Sequence, residues 1–331
     1  MRRFVGVLGL LGAALSGFAL VRYRRDIRRA RERIAEGSGI VETPYGQIEY
    51  ASAGGGPPVL VVHGAGGGFD QGMFLSEPLV RSGFRVITMS RFGYLRTPLP
   101  ADASAAAQAD AHAGLLDALG IPRAALIGAS AGAPSAMQFA IRHPERTAAL
   151  VLLVPAAYPF QIARRAQGAM PERASKATVV LFETALKSDF LFWLAPRIAG
   201  RTVLRGILAT PPSLMKHATP EERARVAGVL ERILPVAERR LGLMNDAAVV
   251  SSLPRYELER IQAPTLAISV EDDLFRTYEG ARYSAEHIPG ARFVGYPTGG
   301  HLWVGHHGEI MGETASFLKK CGRGSRPEEG S

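Results

Sequence analysis

Cysteine is almost absent: the 331-residue chain has one, Cys321. No intramolecular disulfide and no thiolate metal cluster can form, and its setting among Gly, Arg, Pro and Glu near the C-terminus argues against a catalytic thiol. Aromatic residues make up only 8% of the chain. Net charge is small outside one segment. Up to Glu36, nine arginines face Asp26, Glu32 and Glu36, so six of the net nine positive charges sit there and the remaining body carries only three. A body that grips nucleic-acid phosphates spreads its charge over a face with aromatics interleaved, so no nucleic-acid partner is expected. The glycine-rich run His63-Gly64-Ala65-Gly66-Gly67-Gly68 lacks the Lys-Ser/Thr of a P-loop. Counted from Gly64, the sixth position of a dinucleotide fingerprint is Phe69, so that reading fails too. No metal and no organic cofactor are implied.

What is present is apolar sequence. At 47% hydrophobic residues, the chain can bury a core of one large domain, or of one domain with an insertion. Phe4–Val21 is an uninterrupted stretch of 18 apolar or small residues, which as a helix spans roughly 27 Å, close to a hydrocarbon core of about 30 Å. Arginines on both sides make a buried core helix a poor reading. Seven arginines follow within Arg22–Arg33, and such a block resists translocation, so a single-pass anchor with the body in the cytoplasm is expected. The basic stretch RYRRDIRRARER then lies on anionic lipid. Export after cleavage of a signal peptide, with Gly17 and Ala19 as the small-residue site, is the alternative. Because every predicted strand follows Ala35, the segment before it reads as separable.

Along the body, IVETPYGQIEYASAG reads as a hairpin with Pro44-Tyr45-Gly46 at its turn. PPVLVVHG, FRVITMS, AALIGAS, TAALVLLVP, APTLAISV and ARFVGYP are short continuous apolar runs suited to buried parallel strands. Helical stretches at Ala103–Leu119, Ala131–Arg142 and Tyr278–His287 separate them. This alternation predicts an α/β fold with a mostly parallel, doubly wound sheet. Tyr158–Leu253 breaks the pattern: it holds no comparable strand and reads as inserted helices.

The sequence Gly128-Ala129-Ser130-Ala131-Gly132 follows a strand and opens a helix. A serine there sits on a tight turn that exposes its hydroxyl, and flanking side chains would collide with the backbone. The Ala131 N–H at the helix start can stabilise an oxyanion, and a second donor is expected just after His63-Gly64, at Ala65. His63 itself reads as a brace for that loop.

The serine needs a base and the base an orienting acid. His143 ends a helix, His112 and His287 lie on helices, and His217 lies in the insertion. His301 closes YPTGGH after the last strand, where two glycines let the chain bend inward. His306 and His307 are its competitors. After ALVLLV there is no carboxylate, whereas TLAISV is followed by Glu271-Asp272-Asp273. Asp273, at the loop tip, is favoured as the acid, with Asp272 open.

With Ser130, Asp273 and His301 in that order, the chain resembles the α/β-hydrolase superfamily of serine hydrolases over roughly Val41–Leu318. The resemblance rests on the Ser130 elbow, the His63-Gly64 loop, SVEDDLF and GGH. It departs at Val270, where glycine is common, and at Ser90-Arg91-Phe92-Gly93, which replaces the usual acidic loop. The resemblance implies a helical cap in the insertion, giving residues 4–21 as anchor, 22–39 as basic juxtamembrane segment, 40–157 and 254–320 as core, 158–253 as cap and 321–331 as flexible tail. It implies an acyl-enzyme route to hydrolysis of small or medium apolar carboxylic esters. Alternatives are C–C cleavage of ring-fission products, with Arg164 or Arg165 holding a carboxylate, and cofactor-free perhydrolysis. From another class comes a non-catalytic, membrane-tethered binding module. Phe160, Phe182, Phe190, Phe192 and Trp193 offer an apolar pocket. Oligomeric state is left open.

Overall fold

A computed structural model describes the backbone of residues 2–158 and 186–323 and the side chains of residues 17–158 and 186–322. An eight-stranded sheet runs in the order β1-β2-β4-β3-β5-β6-β7-β8. Its strands are β1 (Gly39–Thr43), β2 (Gly46–Ala53), β3 (Pro58–Val62), β4 (Arg85–Met89), β5 (Ala124–Ala129), β6 (Thr147–Leu153), β7 (Thr265–Val270) and β8 (Arg292–Tyr296). The β1–β2 hairpin is antiparallel, as is β2 against β4, and the other pairs are parallel. Each of the six short apolar runs after Ala35 is therefore a strand. Every residue of β7 is buried, as expected of a strand covered on both faces.

Nine helices are described: α1 (Arg2–Glu36), α2 (Phe69–Arg81), α3 (Ala105–Ala118), α4 (Ala133–Arg142), α5 (Asp189–Gly206), α6 (Pro220–Ile233), α7 (Arg240–Ser251), α8 (Thr277–His287) and α9 (His307–Arg323). One face of the sheet packs on α3, α4 and α8 through Leu115, Phe139 and Ala281. The other packs on α2 and α9 through Leu79, Ile310 and Leu318. Residues before α3 and α6 cap them from the side chain: Ser104 accepts from the Ala107 N–H and Thr219 from the Glu222 N–H, satisfying donors that the first helical turn leaves unpaired.

Three expectations change. α2 and α9 have no counterpart in the sequence reading. The expected tail does not begin at Cys321, because α9 continues to Arg323 and Cys321 packs beside the core; residues 324–331 lie outside the described residues. The segment before Ala35, expected to be separable, is docked on the body. Its arginines continue α1, whose Ile27 and Ala30 are buried against Trp193 and Leu234. Most of the expected membrane stretch Phe4–Val21 falls on side chains outside the described residues. Among the described residues, no helix is long and apolar enough to cross a membrane. Phe160, Arg164, Arg165 and Phe182 also lie outside them.

Candidate active site

Parallel strands bring the loops after β3, β5, β7 and β8 to one edge of the sheet, the edge at which open α/β sheets bind ligands. β5 ends at Ala129, and Ser130 follows with φ +48°, a left-handed conformation costly for a residue with a side chain. The neighbouring glycines make the bend possible. A Cβ on Gly128 would lie 2.7 Å from the Ala136 Cβ, and one on Gly132 would lie 2.4 Å from the Val62 carbonyl oxygen. The elbow is thus pressed into the end of β3, and α4 follows directly.

Ser130, His301 and Asp273 meet. His301 Nδ1 lies 2.8 Å from Asp273 Oδ2, and Nε2 lies 2.9 Å from Ser130 Oγ. With Nδ1–H donating to the carboxylate, Nε2 is left to accept the serine proton. Asp273 is buried and is held in place: its Oδ1 accepts from the Phe275 N–H at 2.8 Å, and Oδ2 also accepts from the Thr277 hydroxyl. The Phe275 ring meets His301 edge-on at 4.9 Å. Asp272 does something else. Its Oδ1 accepts from the Gly300 N–H at 2.6 Å, tying the acid loop to the histidine loop. Glu271 is exposed.

None of the other histidines is bonded to Ser130. His306 pairs with Glu309, and His143 with Asp110. His307 accepts from the Trp303 indole N–H at 3.1 Å, and burial pulls it down to about 4. His287 contacts the Tyr283 carbonyl, and His217 follows a short 3-10 turn. His112 is buried between Met89 and Ser135. His63 Nε2 accepts from the Arg91 N–H at 3.1 Å, so its Nδ1–H is left to donate to the Gly64 carbonyl at 2.7 Å. Burial, and after it the Arg91 charge, holds His63 well below the usual imidazole range. It stays neutral and braces the loop.

Gly64 backs directly onto the elbow, where an added Cβ would lie 3.1 Å from the Ser130 Cβ. Ala65 and Ser130 line one cavity of about 660 Å³. The Ala131 N–H belongs to the 3-10 turn Ser130–Gly132 that precedes α4. The cavity walls come from the core and from α5, α6 and α7, including Leu191, Phe192, Val229, Ile233 and Leu243. Trp193 faces away from it toward α1.

Sequence reasoning missed a pair of buried ion pairs that hold the His63–Asp70 loop. Arg91 donates to both oxygens of Asp246 on α7, each at 2.7 Å, and also to the carbonyls of His63 and Gly64. Burial opposes the Arg91 charge, but Asp246 outweighs it and raises the guanidinium pKa. Tyr94 donates to Asp246 and accepts from the Gly66 N–H at 3.1 Å. Arg239, wholly buried, pairs with Asp70 and donates to the Gly67 carbonyl. The one available signal was the altered loop Ser90-Arg91-Phe92-Gly93, in which a serine replaces the superfamily's usual aspartate just before Arg91. Its partner lies 155 residues away, and no local pattern points across that gap.

The sequence model of the alpha/beta hydrolase fold matches residues 57–304. The uncharacterized hydrolase YcgS of Bacillus subtilis (strain 168) is 27% identical over 274 residues, 82% of this chain and 94% of that protein. A 2-hydroxy-6-oxononadienedioate/2-hydroxy-6-oxononatrienedioate hydrolase of Paraburkholderia xenovorans (strain LB400) is 39% identical over 130 residues, but these cover only 37% of this chain and 42% of that enzyme. An alpha/beta hydrolase fold protein from Nakamurella multipartita has a solved structure that superposes with a TM-score of 0.67 at 29% identity, covering 86% of this chain and all of that one. The match spans the elbow, the acid loop and the histidine loop alike, and the chain belongs to the alpha/beta hydrolase fold family and is a hydrolase.

Proposed function

We propose that the protein is a serine hydrolase that cleaves esters of apolar carboxylic acids through an acyl-enzyme. The observation that carries this reading is the Ser130–His301–Asp273 hydrogen-bond relay opening into a cavity walled mainly by aliphatic and aromatic side chains. Ser130 Oγ attacks the ester carbonyl while His301 Nε2 takes its proton. Asp273 holds the imidazole tautomer and stabilises the imidazolium. The N–H groups of Ala131 and Ala65 receive the oxyanion. His301 then protonates the leaving alcohol, and a water activated by the same nitrogen releases the acid. The inserted helices α5–α7 act as a cap over the cavity, and the apolar stretch before Arg22 anchors the chain in a membrane with the body on the cytoplasmic side.

A second reading, hydrolysis of a C–C bond in a ring-fission product, is favoured by the activity for which the Paraburkholderia relative is named. Such substrates carry carboxylates. The aliphatic and aromatic side chains that wall the described part of the cavity favour the ester. Perhydrolysis by the same triad is a side reaction of this chemistry, and the relay argues against a mere binding module. The test is labelling by a fluorophosphonate probe together with turnover of p-nitrophenyl esters of graded chain length. Labelling that Ser130→Ala abolishes, with rates rising toward longer acyl chains, supports the reading. A protein that stays unlabelled, or that turns over only carboxylated dienones, overturns it.

A further inference from the structure

The cavity at Ser130 opens beside α5. Leu191 and Ile207 line the cavity and yet are 50% and 42% exposed, so they mark its mouth. The mouth continues as an exposed apolar rim. Ile198, on the α5 face that carries Leu191 and Ala195, is 75% exposed, and Phe18 and Val21 of α1 are similarly open. Exposed apolar groups that cluster beside a cavity mark a docking surface.

α1 packs on the neighbouring face of α5. Its Tyr23 ring meets Phe190 at 5.1 Å and Trp193 at 5.6 Å, and Ala19, Tyr23, Ile27 and Ala30 form the docked stripe. Residues at three- and four-residue spacing share a helix face, so Phe18 and Val21, off the docked stripe, point away from the body. Immediately beyond them the cations begin. Arg22, Arg25, Arg29 and Arg197 line a second cleft of about 400 Å³ between α1 and α5, and Phe192 forms a wall of both cavities. Asp26 is shared by Arg22, Arg25 and Arg197, which leaves the cleft with excess positive charge. Along α1 the apolar residues Phe18 and Val21 give way to Arg22, Tyr23, Arg24 and Arg25, the passage from hydrocarbon to anionic headgroup.

We propose that this rim docks on an anionic lipid surface and that the ester hydrolysed at Ser130 is an acyl ester drawn from that surface. The acyl chain enters between Leu191 and Ile207, while the arginine cleft lies at headgroup depth. The inference rests on the serine-hydrolase reading and adds the source and class of the substrate. No new chemistry is required: the ester C–O bond breaks, Ser130 carries the acyl group, and water releases the fatty acid as the alcohol departs protonated.

The experiment uses the full chain reconstituted in phosphatidylcholine vesicles with or without phosphatidylglycerol. Rates are read on soluble p-nitrophenyl butyrate and on a long-chain acyl ester carried in the bilayer. Ile198→Glu lies outside the cavity, so its soluble-ester rate should match the parent while its bilayer-ester rate falls about tenfold. Charge reversal at Arg24 and Arg28, both exposed, should erase the rate gain from phosphatidylglycerol, since each arginine near an anionic surface is worth roughly fivefold in affinity. Bilayer-ester rates indifferent to both changes, with normal soluble turnover, overturn this inference alone. Absence of soluble turnover and of probe labelling overturns the serine-hydrolase reading, and this inference with it. A dimer that Ile198→Glu splits assigns the rim to a second copy and overturns it as well.

Discussion

Arg33, near the end of α1, donates its Nε–H to Asp70 Oδ2 at 3.0 Å, and Asp70 opens the helix that follows the glycine-rich loop beside Ser130. Arg33 also donates to the carbonyls of Glu231 and Leu234. The N-terminal helix is thus bolted to the active-site loop and to the inserted helices at once. Asp70 receives Arg239 from the other side, so one buried carboxylate joins three parts of the chain.

This bolt moves the boundary of what can be removed. The sequence alone marks everything before Ala35 as separable, but removal through Ala35 strips Arg33, Ile27 and Ala30 from their packing. Deletion of residues 1–16 should leave the melting temperature and soluble-ester rate close to those of the full chain. Deletion through Ala35 should lower the melting temperature by several degrees, since losing two buried apolar side chains and a charge pair costs about 2–4 kcal/mol. Equal melting temperatures for the two truncations would show that the docking is dispensable.

Neighbouring carboxylates Asp272 and Asp273 separate cleanly by geometry. Asp273→Asn presents an amide N–H₂ or a weak acceptor to His301 Nδ1 and upsets the tautomer, and should lower kcat by about three to four orders of magnitude. Asp272→Asn keeps an oxygen for the Gly300 N–H and should cost no more than about tenfold. Steady-state kinetics on a soluble ester decide, and the reverse order would reassign the acid.

Ser130→Ala should lower kcat by at least about a thousandfold while leaving the melting temperature unchanged or slightly raised, because it removes one half-buried hydroxyl and not the packing beneath it. Calorimetry and a burst-phase assay on the same preparation check both halves.

How far the sequence can be read is visible in particular residues. Strands such as β3 and β7 announce themselves, because a strand buried on both faces is an unbroken apolar run. The Ser130 elbow is legible because its constraint is local: two glycines within five residues. α2 was not, since it follows three glycines, lacks a side-chain N-cap and contains Pro78, all of which mask a helix start. The Arg91–Asp246 and Arg239–Asp70 pairs are invisible for another reason: charged residues are usually solvated, and only the tertiary fold shows that these are buried.

The Arg91–Asp246 pair should behave as buried ion pairs do. Asp246→Leu alone leaves a guanidinium buried without its partner and should destabilise the protein by about 3–5 kcal/mol. Arg91→Met with Asp246→Leu should cost much less than the sum of the single changes. Chemical denaturation of the four proteins closes the cycle, and additive losses would show that the two side chains act independently.

The last prediction concerns acid. Burial, and after it the charges of Arg91 and His143, lower His112 to about 3 in the folded protein, against about 6.5 in an unfolded chain. The unfolded state therefore binds the extra proton between those values, so stability is complete above about pH 6.5 and is lost as pH falls toward 3. His63 and His307 are also held below the ordinary imidazole range and push the same way. The melting temperature should fall steadily as pH drops from about 7 to 4, and the fall should be shallower in His112→Gln, which has no proton to gain. Gln keeps a polar group for Ser135, so the variant should fold, starting somewhat less stable at neutral pH because the contact with Met89 Sδ is altered. Parallel pH profiles for parent and variant would mean that His112 takes up its proton as readily in the folded as in the unfolded state, and would overturn the prediction.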